Sequence, residues 1–202
     1  MKYSIEELKS IIKELMSEKR YNHSVMVMEE AGKYVEKYKK GDSSFYEKTI
    51  RAALMHDIAK EMSEKEIEEY IKDNNIKLDI SNSINKPLIH GIIGADKCTK
   101  LYDFDEEMGQ SIRWHTTGST NMSLMDKIVF LADKTGRTNL SPKLVEIRNK
   151  AFENLDEGIY LYINNNMEKL KTKGIPINPI SIDVQKYFYD KIKKIWKKGW
   201  QW

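Results

Sequence analysis

The stretch SFYEKTIRAALMHDIAK, residues 44–60, decides how this chain of 202 residues reads. Ile50, Ala53, Leu54 and Asp57 recur at helical spacing, which predicts an amphipathic helix from about Ser44 to Ala59. Near its carboxyl end stands the dipeptide His56-Asp57, with His56 flanking the apolar stripe. An imidazole and a carboxylate side by side at a helix end can approach one ion, or bridge two, where the backbone opens locally.

Working outward, His23, His90 and His115 also fall in segments that read as helices or helix ends, and Asp133 closes a helix that Gly136 stops. The intervals from His23 through His56, His90 and His115 to Asp133 are 33, 34, 25 and 18 residues. Each has room for roughly one helix of about 11 residues plus turns. A bundle can therefore bring one ligand per helix to a common centre. Taken singly, each histidine reads as an ordinary core or surface residue; six residues of ligand type in this order point instead to a bound ion or ion pair.

Several imidazoles with two or three carboxylates suit iron, manganese, cobalt or zinc better than calcium. Two such ions about 3.5 to 4 Å apart lower the pKa of a shared water and stabilise the attacking and leaving oxygens of phosphoryl hydrolysis. Cleavage of a phosphoester or phosphoanhydride is thus the leading chemistry. Lys60 either neutralises phosphate charge or is a plain solvated lysine. Arg20 and Arg137 stand within reach of a phosphate chain, and Thr116 and Thr117 offer donors beside His115 or merely cap the helix end.

Only 4 Pro and 10 Gly, with no sustained period-two run, predict an all-α domain. Ser4 and Glu7 form a capping box, after which Ile5, Leu8, Ile11, Ile12 and Leu15 line one face. Further helices are expected from about Asn22 to Lys39 and from Glu64 to Lys72. The Asn-, Asp- and Ser-rich stretch from Asn74 to Asn85 reads as an irregular lid. His90 begins the next helix, where Gly91, Gly94 and Ala95 serve either close helix packing or a ligand. Asp103 or Asp105 caps another, Asn121 or Ser123 starts the helix that ends at Asp133, and Ser141-Pro142 opens a long one. A last helix runs from about Ile182 to Lys198. Residues 1–202 read as one domain, with a motif-bearing core at about 18–137 and helices over 141–198 completing the bundle.

Lys+Arg 34 against Asp+Glu 31 gives +3, interleaved except at Lys193, Lys194, Lys197 and Lys198, and this balance argues against nucleic-acid or membrane partners. The charged amino terminus lacks the apolar core of a signal peptide, and no uncharged apolar run approaches the roughly 18 residues that span a bilayer. A soluble cytoplasmic protein is expected. The single Cys98 cannot form an internal disulfide and reads as a small helix residue, so no catalytic thiol is expected.

Several strings taken together resemble the HD-domain superfamily of metal-dependent phosphohydrolases. They are Arg20-Tyr21-Asn22-His23-Ser24, Leu54-Met55-His56-Asp57-Ile58-Ala59-Lys60, His90-Gly91-Ile92-Ile93-Gly94-Ala95, His115-Thr116-Thr117-Gly118, and Met122-Ser123 leading to Leu131-Ala132-Asp133. Within the superfamily they resemble the YqeK-type symmetrical diadenosine tetraphosphatases. The resemblance implies an HD-type helical bundle, an iron centre of one or two ions, and hydrolysis of a dinucleoside polyphosphate, diadenosine tetraphosphate, into two ADP by metal-activated water. It implies His23, His56, Asp57 and Asp133 as metal ligands, with His90 and His115 completing a second metal position or contacting phosphate. Asp57, Lys60, His90 and His115 would carry the catalysis. His23, Lys60, Glu61, Met62, Ser63, His90, Thr116, Thr117, Asp133 and Arg137 would face the nucleotide. A homodimer is implied as well.

After Asp133 the pattern departs from that family. An Arg about six residues on is replaced by Asn139, leaving Arg137 to take the phosphate contact from a shorter loop, and Val184-Gln185 stands where Arg-Asn is expected. Two other readings keep the fold: an HD-type nucleotidase or phosphodiesterase acting on another nucleotide, and a non-catalytic nucleotide-binding domain. Retention of all six ligand-type residues argues against the second.

Overall fold

A computed structural model describes residues 2–77 and 86–199, with the backbone alone for residues 86–87 and 195–199. The described residues form ten α-helices and no strand. They are α1 (Ile5–Leu15), α2 (Glu18–Tyr38), α3 (Ser43–Met55), α4 (Glu64–Asp73), α5 (Lys86–Leu101), α6 (Glu106–Trp114), α7 (Leu124–Thr135), α8 (Pro142–Glu153), α9 (Leu155–Thr172) and α10 (Pro179–Gly199). The stretch read as a lid lies outside the described residues from position 78 on.

At the centre stands α7, whose residues from Met125 to Thr135 are buried apart from Lys127. A helix buried on nearly every side belongs to the middle of a core. Against it pack α2, α3, α6, α8 and α9, while α5 lies on α6 and α10 on α9. Leu8, Ile12, Val27, Leu54, Met55, Ile112, Met125, Ile128, Phe130, Leu131 and Phe188 fill the space between them. No described helix is long and apolar enough to cross a membrane.

Local chemistry sets the helix ends. Ser4 with Glu7, Ser63 with Glu66 and Ser123 with Asp126 make reciprocal capping boxes that satisfy amide donors at three helix starts. Ser17, Asp42, Asp105 and Ser141 cap four more, the last ahead of Pro142. Of the two aspartates expected at the start of α6, Asp105 is the cap. Asp103 instead takes a left-handed backbone, φ 62°, and accepts from the Lys2 amide.

Several boundaries differ from the sequence reading. Helix α2 starts at Glu18, four residues before Asn22, because the Ser17 hydroxyl accepts from the Arg20 amide. Helix α3 ends at Met55 and not at Ala59: the amides of Ile58 and Lys60 bond three residues back, to Met55 and Asp57, so the chain tightens into turns. His90 lies a full turn inside α5 and does not begin it. The expected long helix after Pro142 is two. Asn154 adopts an extended backbone that ends α8, and its side chain accepts from the Asp156 and Glu157 amides to start α9. The pair crosses closely, since a Cβ on Gly158 would stand 2.5 Å from that of Ala151. Leu15, expected on the buried stripe of α1, is 48% exposed.

Candidate metal and phosphate site

The turn that replaces the end of α3 matters most for the site. Leaving α-helical geometry after Met55 lets His56 and Asp57 both point inward, where a continuous helix would set neighbouring side chains about 100° apart. Helix α2 supplies His23, α5 supplies His90, the end of α6 supplies His115, and the last turn of α7 supplies Asp133. The donors His23, His56 and Asp133 lie within 4.8 Å of one another, as do His56, Asp57 and His115. His56 belongs to both groups.

The distances describe two adjoining halves. On one side Asp133 Oδ1 lies 3.0 Å from His23 Nε2 and 3.5 Å from His56 Nε2. Asp57 Oδ2 is 3.4 Å from His56 Nε2. On the other side Asp57 Oδ1 lies 3.3 Å from His90 Nε2 and 3.5 Å from His115 Nε2. His90 and His115 face each other at 3.0 Å through their Nε2 atoms. Asp57 thus stands between the halves.

Backbone carbonyls orient two of the rings. Ala53 O accepts from His56 Nδ1 at 2.7 Å, and Ile112 O accepts from His115 Nδ1 at 2.6 Å. A carbonyl can only accept, so each Nδ1 carries the hydrogen and each Nε2 turns to the centre, the arrangement common for metal-bound histidine. Gly91 makes room for this. A Cβ there would stand 2.9 Å from Arg113 O and 3.3 Å from Ile112 O, so α5 can press against the backbone that carries His115. At Gly94, by contrast, a Cβ would make only ordinary contacts, 3.4 Å from Ile112 and Ile58 side-chain methyls and 3.8 Å from the His56 carbonyl. Close packing accounts for Gly91.

The donor set fits a divalent transition metal. His56 Nε2 and Asp57 Oδ1 are buried and find no hydrogen-bond partner among the described residues, though both face other ligand-type atoms. Burial by itself lowers the His56 pKa, but the Asp57 and Asp133 carboxylates outweigh it and raise it to about 10. Some positive charge is therefore wanted between those carboxylates, a proton or a cation. Burial resists ionisation of Asp57 too, yet the surrounding imidazoles hold its carboxyl far below the usual range. Burial lowers His115 to about 4 and also depresses His90, so both rings are neutral and able to ligate near neutral pH.

Cations surround the carboxylates. Arg20 Nη1 lies 2.6 Å from Asp57 Oδ2, and Lys134 binds Asp133 Oδ2. Lys60 Nζ reaches 3.1 Å from His90 Nε2 and 4.0 Å from Asp57 Oδ1 although α3 has ended, and burial lowers its pKa. Thr116 Oγ1 is 3.1 Å from His115 Nε2, while Thr117 is buried. Arg137 is exposed and donates to the Asp133 carbonyl at 3.3 Å. With Ser17, Arg20, His23 and Glu61 it lines a cavity of about 810 Å³ that opens beside the donors.

Of the side chains read as nucleotide contacts, two are held by protein partners and a third faces another cavity. The Glu61 carboxylate accepts from the Ser17 amide at 2.6 Å and from its hydroxyl at 2.8 Å. The Ser63 hydroxyl caps α4, and Met62 lines a separate cavity of about 320 Å³ with Leu15, Ile58 and Tyr70. Lys134 escaped the sequence reading. A usable signal was the apolar surround of Ala132-Asp133-Lys134, where a lysine has to be paired.

Residues 20–138, which include all six donors, match the HD domain family. The chain belongs to the HD domain family. It is 33% identical over 190 residues to a Staphylococcus aureus protein named bis(5'-nucleosyl)-tetraphosphatase, symmetrical; the match covers 92% of this chain and 94% of that one. A Halalkalibacterium halodurans protein of the same name is 32% identical over 170 residues, 84% of this chain and 88% of its own. A solved structure from Clostridium acetobutylicum, described as a predicted HD superfamily hydrolase involved in NAD metabolism, superposes with a TM-score of 0.85 at 28% identity. It covers 94% of this chain and 98% of that one.

Proposed function

We propose that this HD protein is a metal-dependent phosphoanhydride hydrolase that cleaves diadenosine tetraphosphate symmetrically into two ADP. The observation that carries the reading is the buried centre where His56 Nε2 and Asp57 Oδ1 find no hydrogen-bond partner among the described residues, amid four histidines and two aspartates. Relatives named for symmetrical tetraphosphatase activity, matching over most of their length, supply the substrate.

In this reading His23, His56, Asp57 and Asp133 hold the metal, and His90 and His115 flank a second position on the far side of Asp57. A divalent ion there lowers the pKa of water and neutralises phosphate charge. Iron is our choice of metal, since the imidazole-rich set suits it, with manganese, cobalt and zinc also matched to these donors. Lys60 and Arg20 bring positive charge to the phosphates, and Thr116 and Thr117 donate to phosphate oxygens beside His115. Arg137 grips the chain from the rim of the large cavity. Turn 60–63 lines the nucleotide through its backbone and the Lys60 side chain, because Glu61 and Ser63 are already engaged.

The 18–137 core carries the chemistry, and the helices over 141–198 complete the same domain. We place the protein in the cytoplasm and, following the family resemblance, read it as a homodimer. Purified, metal-loaded protein incubated with diadenosine tetraphosphate should yield ADP alone. ATP plus AMP, or no turnover, overturns the assignment.

A further inference from the structure

The two oxygens of Asp133 face different ways. Oδ1 points to His23 Nε2 and His56 Nε2, at 3.0 and 3.5 Å, whereas Oδ2 is held by the ammonium of Lys134, the next residue in α7. Lys134 is 7% exposed. Its Nζ lies 5.3 Å from the ring centre of Phe130 and 5.6 Å from that of Tyr162, which reaches in from α9. Ring faces attract a cation, but the carboxylate is the anion that answers its charge.

A buried ammonium left unpaired is costly, so an ion at the centre could take Oδ2 only by stranding Lys134 between two aromatic rings. Oδ1 carries no such obligation. We propose that Lys134 is a positioning residue that restricts Asp133 to one oxygen, Oδ1, toward the metal, and so keeps a coordination position free for the reacting oxygen. This rests on the metal-dependent reading above and gives Lys134 a role within it. It also explains why a lysine is tolerated inside the most buried helix of the fold.

The test has two parts. In crystals of the unmodified, metal-loaded protein, one Asp133 oxygen should contact the ion while the other stays on Lys134; two oxygens on the ion would overturn the proposal. In Lys134→Met the unbranched stem still fills the space between Phe130 and Tyr162, but the charge is gone. That variant should keep its metal and hold it more tightly against a chelator, on the order of 10-fold, while kcat falls by a similar factor at unchanged KM. Looser metal, or unchanged kcat, would show that Lys134 only supports packing. Should Lys134→Met not fold, the unmodified crystals still decide. If the unmodified protein takes up no metal, the functional reading falls and this proposal with it; if it binds metal and turns over substrate with Asp133 giving both oxygens, only this proposal falls.

Discussion

Arg20 Nη1 sits 2.6 Å from Asp57 Oδ2, tying the first turn of α2 to the carboxylate that stands between the two halves of the centre. Ser17, whose hydroxyl caps the Arg20 amide, is itself held by Glu61 from the turn that follows His56-Asp57. Removing the guanidinium frees Asp57 to rotate and withdraws a cation from the phosphate path. Arg20→Ala should lower turnover of diadenosine tetraphosphate about 10- to 100-fold, and Arg20→Lys should recover part of it, because the charge returns without the planar fork. Steady-state rates for both variants, with metal content measured alongside, check this. Unchanged turnover in Arg20→Ala would remove Arg20 from the site.

Metal uptake should release a proton from His56. Its pKa is raised to about 10 by Asp57 and Asp133 against the opposing effect of burial, so at pH 8 the metal-free ring is protonated, and a ligating Nε2 has to lose that proton. The accompanying stability is fully present below the unfolded value of about 6.5 and is lost as pH rises through about 10. His115, lowered to about 4, has no proton to give at pH 8. Titration calorimetry in two buffers of different ionisation enthalpy should therefore show about one proton released per ion at pH 8. Zero release would contradict the assignment of His56.

Gly91→Ala should destabilise the fold and disturb catalysis together. The added methyl would press on the Arg113 carbonyl at 2.9 Å, which is backbone and cannot swing aside. Overpacking of this kind costs about 1 to 3 kcal/mol, a drop of roughly 2 to 12 °C in Tm for a chain of this size. Because His90 is the preceding residue, kcat should fall even well below the new Tm. Thermal scans with rates at 25 °C test both parts, and full activity in a folded variant would separate Gly91 from the site.

Cys98 should resist alkylation. The thiol is fully buried and burial pushes its pKa up, so the reactive thiolate is scarce in the folded protein. Iodoacetamide at pH 8 should label it only after denaturation. Rapid labelling of the folded chain would contradict the packing of α5.

Much of the site was legible because its chemistry sits in residue types: His56-Asp57 announces itself, and one further ligand per helix follows from the spacing of His23, His90, His115 and Asp133. The all-α fold was legible from the few Pro and Gly and the lack of a sustained period-two run, and its first helix from the capping box of Ser4 with Glu7. What stayed hidden depends on contacts distant in sequence. Ser17 starts α2 with support from Glu61, 44 residues away. Asn154 breaks a run whose propensities favour one continuous helix. The unwinding after Met55 leaves no local mark, since Ile58-Ala59-Lys60 suits a helix as well as a turn. Which partners Lys134 takes emerges only when Phe130, Tyr162 and Asp133 close around it.

His23, His56, Asp57 and Asp133 should share one bound cation. An anomalous-difference map from crystals of the metal-loaded protein tests this most directly. A peak is expected about 2.0 to 2.2 Å from His23 Nε2, His56 Nε2 and an oxygen of each aspartate, absent in Asp57→Ala. A peak elsewhere in the molecule, or no peak in protein that still hydrolyses diadenosine tetraphosphate, would contradict it.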